Sequence, residues 1–356
     1  RRNREGSEMY VCEQCCDDSY SYCTDCGRYV KNEEGTDSTF DGDWRCYECL
    51  DDSGYYMYCA GCDTYCRECD MLYSESRHEW FCPDCYEEDD DTVIHSYHSG
   101  HKGGLQFFEL PHERAQNQQL YFGIELEVED IVDRYDIETI AEETLQVLDT
   151  ELWHCENDGS LTDGCEFISQ PMTFEYLNSP RIERKIKSAL ALLSSKGARS
   201  YDTSHCGLHF HVSRAGLTPQ AIVNLLVMTT RFKEVVFKLS RRTETNFQRW
   251  SRAYDEITEL TPAIKSGIKD DTIPYCNFDR YCMINLTNRA TVEFRFFRGT
   301  LNPDSFYGSL NFIAFLVSYS LECETESDIT SSMQDFILKA KNYSSVLKNF
   351  MEKVGL

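Results

Sequence analysis

Six Cys-x-x-Cys pairs crowd the first 86 residues of this chain and constrain its folding more than any other feature. The pairs are Cys12/Cys15, Cys23/Cys26, Cys46/Cys49, Cys59/Cys62, Cys66/Cys69 and Cys82/Cys85. A Cys-x-x-Cys turn directs two thiolates at one tetrahedral ion, and two such turns complete a structural zinc site. Because aliphatic residues are scarce here, metal must supply most of the folding free energy. The sequence therefore predicts a zinc-binding domain over residues 1–86 that holds three zinc ions.

The pairing of these turns is predicted from an internal repeat. Residues 22–49 resemble residues 65–85, because each segment has a Cys-x-x-Cys turn, a loop, and an aromatic residue before the closing turn. We expect one zinc in each repeat and a third between the remaining pairs, Cys12/Cys15 and Cys59/Cys62; a cross-braced pairing is the alternative. A disulfide framework or a redox pair fits six repeated pairs less well than metal. Zinc thiolates indicate a reducing compartment, and we expect a cytoplasmic protein.

The charge of the chain is strongly acidic and unevenly spread. The formal net charge is −26, of which −18 falls within residues 1–113. Such a surface repels nucleic acid and anionic lipid, so a basic protein is the expected partner of the acidic zinc domain. No apolar run reaches the roughly 18 residues that span a membrane, and the first residues lack the apolar stretch of a secretory signal. The absence of Met at position 1 is compatible with a fragment.

A run of acidic residues, 87–91, marks the end of the zinc-binding domain and predicts a linker over residues 87–114. Three histidines follow this run among glycines, and we interpret them as part of a flexible loop rather than as a metal site: His95, His98 and His101. Residues 115–356 form the second domain, with helices predicted at 137–148, 182–195, 219–239, 305–321 and 333–347. Its strands are short and rich in β-branched and aromatic residues. The predicted fold class is therefore α+β, an antiparallel sheet backed by helices.

Three short strands of the second domain carry polar side chains on one face and apolar side chains on the other. They cover residues 123–129, 208–212 and 292–296. Side chains two positions apart project to the same face of a strand. If the strands share a sheet, one face is a core layer and the other gathers Glu125, Glu127, Glu129, His209, His211, Glu293 and Arg295. Like charges on one face repel unless a cation lies between them, so the pattern indicates hard metal ions beside a phosphate group.

Two further carboxylates lie between the first and second of these strands. Glu156 precedes the tight turn at Asp158-Gly159, and Glu166 lies in an otherwise apolar strand after it. We expect both to reach the carboxylate face. A solvated residue is the alternative for each of them.

The order of these motifs resembles a known family. A Glu-x-Glu strand, a Gly-x-Glu strand, the segment GLHFHVS at 207–213 and a Glu-x-Arg strand followed by Asn302-Pro303 are similar to the catalytic fold of glutamine synthetase. The segments Glu-Asn-Asp-Gly-Ser-Leu and Arg-Gly-Thr-Leu are similar to the putative amidoligases of that superfamily, which are ATP-dependent carboxylate–amine ligases of phages, bacteria and fungi. The resemblance covers about residues 118–320 and leaves the zinc-binding domain outside. The chain lacks the long nucleotide-site insertions of glutamine synthetase itself.

The resemblance implies a role for each candidate residue. Two Mg²⁺ or Mn²⁺ ions would lie over the sheet, one held by Glu127, Glu166 and Glu156, and the other by Glu125, His209 and Glu293. Arg295 would pair with the transferring phosphoryl group of ATP, and weaker candidates for phosphate or substrate contacts are His211, Arg289 and Arg298. The implied reaction activates a carboxylate as an acyl phosphate. An amine then attacks to give an amide or isopeptide bond, and both substrates are small molecules, peptides or proteins.

Two other functions remain open from the residues alone. One is a metal-dependent hydrolase that uses the same Glu and His face. The other is a zinc-scaffold interaction protein whose second domain has lost catalysis, although the presence of every acidic motif disfavours it.

Overall fold

The computed structural model describes residues 19–356 except for 38, 41, 53–54, 63, 75–78, 84, 87–92, 96, 98–99, 102–103, 115–119, 130–133, 162, 202 and 254–280. Cys12, Cys15 and His98 therefore lie outside the described residues. The chain divides into two compact units, Arg1–Thr92 and Val93–Leu356. Among the described residues, every helix is too short or too polar to cross a membrane.

The described part of the first unit consists of two copies of one arrangement, whose first hairpins are offset by 36 residues. Each copy has a hairpin, a single 3-10 turn and a second hairpin. The first copy contains β1 (Tyr20–Tyr22), β2 (Tyr29–Lys31), β3 (Gly35–Thr36), β4 (Arg45–Cys46) and helix α1 (Tyr47–Asp52). The second copy contains β5 (Tyr56–Tyr58), β6 (Tyr65–Arg67), β7 (Leu72–Ser74) and β8 (Glu79–Phe81). Consecutive strands pair antiparallel, β1 with β2, β3 with β4, β5 with β6 and β7 with β8.

This offset corrects the predicted repeat. The sequence repeat aligned Cys66 with Cys23, and this alignment is wrong. In the structure the counterpart of Cys23 is Cys59, seven residues earlier in the chain. The reason is that Tyr-Cys-x-x-Cys occurs twice in the second copy, at residues 58–62 and 65–69. The hairpin of β5 with β6, which repeats that of β1 with β2, identifies the first occurrence as the counterpart.

The apolar core of the first unit is thin. In the second copy, three of the five buried residues of its apolar cluster are cysteines; the cluster is Cys59, Cys66, Met71, Phe81 and Cys82. Each copy adds one edge-to-face tyrosine pair across its first hairpin, with ring centroids 5.4 Å and 5.3 Å apart. A core of this size needs a further source of stability, which four-thiolate metal sites can supply.

The second unit is built on an eight-stranded sheet. Its strands are β9 (Ile94–His95), β10 (Tyr121–Val128), β11 (Trp153–Glu156), β12 (Cys165–Ser169), β13 (Met172–Thr173), β14 (Gly207–Ser213), β15 (Ile284–Asn285) and β16 (Thr291–Arg298). The order is β15-β16-β14-β10-β12-β11-β9, and β13 also pairs with β10. The pairs are antiparallel except for β9 with β11. Because β9 belongs to the predicted linker, that segment contributes an edge strand to the sheet.

Helices pack against this sheet or against one another. They are α2 (Pro111–Arg114), α3 (Arg134–Leu148), α4 (Phe174–Leu177), α5 (Pro180–Ser195), α6 (Pro219–Arg231), α7 (Lys233–Ser240), α8 (Glu244–Trp250), α9 (Pro303–Glu322), α10 (Met333–Tyr343) and α11 (Ser345–Lys353). From α9, the ring of Phe306 packs on Phe210 of β14 and the ring of Phe312 packs on Phe296 of β16, with centroids 6.4 Å and 6.2 Å apart. The prediction of a multi-stranded sheet backed by helices is confirmed.

Two of the predicted helices are each a pair of helices in the structure. The predicted helix 219–239 is interrupted at Phe232, whose ring stacks on Phe336 at a centroid distance of 4.0 Å. The predicted helix 333–347 is interrupted at Ser344, whose side chain accepts a hydrogen bond from the first turn of α11. The apolar pattern continues across both interruptions, so periodicity could not reveal them.

Candidate functional site

The central strands of the sheet carry charged side chains on one face. On β10, the apolar residues Ile124, Leu126 and Val128 are buried in the core. The alternation of the strand therefore turns Glu125 and Glu127 to the opposite face.

Strand register brings charged residues of four strands together. Across β10, β12, β14 and β16, the facing pairs are Glu125/His209, Glu127/Glu166 and His211/Glu293. These six side chains line a pocket of about 190 Å³, here called the metal pocket. Its wall also includes Tyr97, Glu156, Asp158, Asn285 and Arg295.

The His209 imidazole lies between the carboxylates of this pocket. Its Nδ1 is 3.2 Å from Glu125 Oε2, 3.5 Å from Glu127 Oε1 and 4.0 Å from Glu293 Oε1. In two groups, the ligand atoms all lie within 4.8 Å of one another: Glu125/His209/Glu293 and Glu127/Glu166/His209. Carboxylate oxygens with one imidazole nitrogen suit a divalent cation such as Mg²⁺ or Mn²⁺. The two groups share His209, which the resemblance assigned to only one of them.

Burial and mutual repulsion perturb the carboxylates of the metal pocket. Burial raises the pKa of Glu166 well above its usual value, and the charges of Glu125 and Glu127 raise it further. Burial likewise raises the pKa of Glu127. Burial would also raise the pKa of Glu125, but the charge of His211 and a hydrogen bond with His209 outweigh it and hold that pKa well below its usual value. A cation between these groups would relieve the repulsion, so the arrangement favours metal binding.

Cationic and amide side chains orient two of the carboxylates. Nε2 of His211 lies 2.7 Å from Glu125 Oε1. Burial lowers the pKa of His211, but the Glu125 charge outweighs burial and raises that pKa to about 9. Arg295 donates a hydrogen bond to Glu293 Oε1, and Asn285 Nδ2 donates to its Oε2 at 2.7 Å. An imidazolium and a guanidinium therefore stand beside the carboxylates, where an anionic ligand could meet them.

Glu156 lines the metal pocket but lies outside both groups of ligand atoms. Its Oε1 is 2.8 Å from His154 Nε2 and accepts a hydrogen bond from the Gly100 N–H at 2.8 Å. These contacts hold the carboxylate near the edge of the sheet. The structure therefore groups Glu127 and Glu166 with His209 rather than with Glu156.

Two of the candidate arginines lie at other cavities. Arg298 lines a cavity of about 440 Å³ at the N-terminus of α9, together with Arg241 and Lys353. Arg289 lines a larger, mostly apolar cavity. The pairing of β16 with β14 is irregular between residues 294 and 297, where β16 has an extra residue. By register, this bulge brings Arg298 opposite Gly207 and so back to the face that carries His209 and Arg295, but at the end of the strand, where it lines the other cavity.

Three polar residues at the site escaped the sequence reasoning. Asn285 faces Glu293 across β15 and β16, and no motif marks it. Asp158 lines the metal pocket, although its place before a glycine indicated only a turn. Arg242 is buried beside the site, and burial lowers the pKa of its guanidinium to about 10 against the opposing charge of Glu127. Asn285 and Asp158 lie within eight residues of a predicted carboxylate and Arg242 lies farther away, but none of the three belongs to a motif that indicates its place at the site.

Two groups of four cysteines lie in the described part of the first unit: Cys23/Cys26/Cys46/Cys49 and Cys59/Cys62/Cys82/Cys85. An equivalent hydrogen bond joins the two Cys-x-x-Cys turns of each group: the Cys46 N–H donates to Cys23 Sγ at 3.4 Å, and the Cys82 N–H donates to Cys59 Sγ at 3.2 Å. Burial raises the pKa of a thiol, but backbone donors outweigh it and lower the pKa of Cys23 to about 7 and of Cys59 to about 6. Each group has the thiolate ligands of a tetrahedral zinc site.

These groups correct the predicted pairing. Cys59/Cys62 lies with Cys82/Cys85, which the predicted pairing had joined to Cys66/Cys69, so the expected site of the second repeat is wrong. The predicted third site includes Cys12/Cys15, which lie outside the described residues. The pair Cys66/Cys69 lies outside both groups. The Sγ atom of Cys66 is instead 3.8 Å from the Thr64 carbonyl oxygen, and that of Cys69 is 3.6 Å from Asp70 Oδ1.

Comparison with known proteins identifies a protein family that matches part of this chain. A family model described as "Putative amidoligase enzyme" matches residues 113–314, which is more than half of the chain. The match contains β10, β12, β14 and β16, and therefore both groups of ligand atoms in the metal pocket. The first unit lies outside it. No curated protein matches the chain at a significant level.

Proposed function

The chain belongs to the family of putative amidoligase enzymes, and on this premise we propose that its second unit is an ATP- and Mg²⁺-dependent carboxylate–amine ligase with a glutamine synthetase-like catalytic fold. The observation that supports the proposal most is the metal pocket, where two carboxylate–imidazole groups share His209 beside the guanidinium of Arg295. Hard oxygen ligands next to a buried cation suit a metal-bound terminal phosphate.

The residues of the metal pocket fit two divalent cations. Glu127 and Glu166 would hold one, Glu125 and Glu293 the other, and His209 would contribute its Nδ1 to one of them. Bound cations would neutralise charge on phosphoryl oxygens and link the nucleotide to the sheet. The raised pKa of Glu166, which burial and neighbouring carboxylates produce, supports this fit, because such repulsion is relieved when a cation enters.

Arg295 would hold the transferring phosphoryl group. Its Nε is buried without a hydrogen-bond partner in the described part of the chain, so the guanidinium keeps a donor for an anion. The planar fork of an arginine matches two phosphoryl oxygens, which a lysine cannot do. Asn285 donates to Glu293 from the other side and would keep that carboxylate in place while Arg295 engages the phosphate.

The proposed reaction has two steps. A carboxylate oxygen attacks the terminal phosphorus of ATP, and ADP leaves with the bonding electron pair, which yields an acyl phosphate. The amine nitrogen then attacks the acyl carbon, inorganic phosphate leaves, and the nitrogen loses a proton. The imidazolium of His211 stands next to Glu125 and would stabilise negative charge that develops on the reacting oxygens.

For the first unit we propose structural zinc in the two four-cysteine groups and a basic protein partner. The support is the short distances among the thiols and the concentration of acidic residues in this part of the chain. Each zinc with four thiolates adds about −2 of charge, which deepens the acidity.

Product analysis tests the ligase proposal. With Mg²⁺ or Mn²⁺ and a pool of carboxylates and amines, the chain should convert ATP to ADP and phosphate rather than to AMP and pyrophosphate. Glu127→Gln should keep the fold, because the side chain lies on the polar face, but should weaken Mn²⁺ binding. Arg295→Lys retains the charge and loses the fork, so turnover should fall by far more than nucleotide affinity.

Matched controls are Glu234→Gln on α7 and Arg184→Lys on α5, whose exposed side chains lie outside the metal pocket. Both should behave as the unchanged protein. AMP as a product would refute the acyl phosphate, and normal turnover in Glu127→Gln would remove the metal assignment. Cleavage of an amide or phosphoester without ATP would identify a hydrolase instead.

A further inference from the structure

A second cavity adjoins the metal pocket. Its volume is about 630 Å³, against about 190 Å³ for the metal pocket. The two cavities share Glu125, Ile168, His211 and Asn288 in their walls. A molecule in the larger cavity would therefore have one end beside the Glu125 carboxylate and the His211 imidazole. A cavity of this size holds a small organic molecule. We call it the apolar cavity.

The wall of the apolar cavity is mostly carbon. Its large apolar side chains are Leu105, Phe107, Tyr121, Ile168 and Pro171. Leu105 is 66% exposed and Phe107 is 53% exposed, while the Phe107 ring packs edge to face on Tyr121 with centroids 4.9 Å apart. Large apolar side chains left exposed around a concave surface indicate a site for an apolar ligand.

The hydroxyl groups in this wall are already engaged. Ser169 Oγ accepts a hydrogen bond from the Ile124 N–H at 2.9 Å, and Ser213 Oγ accepts one from the Tyr121 N–H at 2.9 Å. The Tyr121 hydroxyl donates to Glu109 Oε2 at 2.6 Å. A nucleobase would leave the donors and acceptors of its edge poorly satisfied against such a wall, which is costly.

The guanidinium of Arg214, also in the wall, is engaged with the backbone. Its Nε donates to the Thr291 carbonyl at 3.1 Å and its Nη2 donates to the Leu286 carbonyl at 2.6 Å. Phosphate recognition relies on charge-assisted donors such as this one. Arg289 is the other guanidinium of the wall, and the remaining surface, which is mostly carbon, suits the apolar part of a molecule better than a phosphate or a base.

We propose that the apolar cavity binds the aromatic or branched aliphatic body of one of the two ligase substrates. This inference rests on the proposed ligase function. The reacting group of that substrate, a carboxylate or an amine, then lies at the wall shared with the metal pocket, next to Glu125 and His211. The nucleotide phosphates occupy the metal pocket, and the apolar cavity selects the substrate by the apolar area it buries.

Two probes that share an apolar group and differ in the reacting group test which of the two substrates occupies the apolar cavity. 3-Phenylpropionate and 2-phenylethylamine both carry a phenylethyl group and differ in the reacting group, while glutarate is a polar control. Calorimetric titration of the full chain with Mg²⁺ and without ATP measures their binding. One aromatic probe should bind more tightly than glutarate, and its identity shows whether the apolar substrate supplies the carboxylate or the amine.

Two variants locate the binding. Ala290→Trp fills the apolar cavity from its exposed rim, and Phe107→Ser removes part of its wall, while neither residue belongs to the metal groups. Each should weaken the bound probe at least about tenfold and leave the affinity for Mg²⁺ with a non-hydrolysable ATP analogue unchanged. Leu338→Ser, at a side chain that is 57% exposed on α10, is the matched control and should change neither.

Failure of the chain to bind either aromatic probe would overturn the inference, and so would variants that bind the probe as tightly as the unchanged protein does. If Phe107→Ser no longer binds the ATP analogue, the cavity holds the nucleobase, and the inference is overturned as well. Probe binding needs no turnover, so the two proposals can fail separately. Specific probe binding together with absent ATP turnover would support the cavity as an apolar site and reject the ligase reaction.

Discussion

Gly207 begins β14 beside His209, and a methyl group added there should displace the imidazole. A Cβ atom at Gly207 would overlap His209 Nε2 and lie 2.9 Å from Arg242 Nη2. The His209 residue is 3% exposed, and its Nδ1 lies between Glu125 and Glu127. Because the core offers no space, the ring can yield only by leaving its place between the carboxylates.

The size of the effect follows from the cost of overpacking. Extra volume in a well-packed interior costs about 1–3 kcal/mol. If the ring turns away from both groups of ligand atoms, this cost appears as lost metal affinity, and about 1.4 kcal/mol corresponds to tenfold. We therefore expect Gly207→Ala to weaken Mn²⁺ binding roughly 5- to 150-fold. The fold should persist, since the sheet registers that flank Gly207 do not depend on the imidazole.

Calorimetric titration with Mn²⁺ measures this change, and circular dichroism monitors the fold. Gly159→Ala is the matched control, because a Cβ atom there would meet no atom within 4 Å. An unchanged Mn²⁺ affinity in Gly207→Ala would refute the assignment of His209 as a metal ligand. An equal loss in Gly159→Ala would show that the effect does not arise from the close approach at Gly207.

Three further predictions concern both units. Cys59→Ser should lower the zinc content by one equivalent in elemental analysis, whereas Cys69→Ser should leave both four-cysteine groups loaded; full zinc in Cys59→Ser would contradict the grouping. Asp149→Asn should cost about 1 kcal/mol at neutral pH, and Asn tolerates the positive φ of 95° at this position. Burial raises the Asp149 pKa, but the hydrogen bond and charge of Lys185 outweigh it and lower that pKa. The Asp149 carboxylate therefore stabilises the fold above its unfolded pKa of about 3.9, and this stabilisation is lost as pH falls through the folded pKa. If urea unfolding still separates Asp149→Asn from the unchanged protein at low pH, the role of this carboxylate is rejected. Residues 93–356 should unfold cooperatively in isolation, because they contain the eight-stranded sheet and its helices; a non-cooperative transition would reject that division.

Several features of the fold could be predicted because their causes are local. Helix α6 begins where Thr218 accepts a hydrogen bond from the Ala221 N–H, and α9 begins where Asn302 accepts one from the Ser305 N–H. Both starts have a proline at the next position, which the sequence displays directly. The interruption at Phe232 had no such signal, because it depends on a ring stacked from α10.

The zinc-binding unit shows the limit of motif reading. Spacing identified every Cys-x-x-Cys turn, because two thiols separated by two residues can meet one ion whatever lies around them. It could not decide which turns join, because Tyr-Cys-x-x-Cys recurs within a few residues in the second copy. The hairpin of β5 with β6 identified Cys59 and Cys62 as the counterparts of the first copy's pair, and contacts between the two hairpins place them with Cys82 and Cys85.

The sequence by itself determined which residues share a face of a strand, since alternation is a property of the extended backbone. Glu125 with Glu127 and His209 with His211 follow from it. The tertiary structure alone decided which strands are neighbours and in what register, because those choices depend on burial across the whole sheet. Register placed His209 between the two carboxylate groups, and it set Arg298 opposite Gly207 at the end of β16, where that residue lines another cavity.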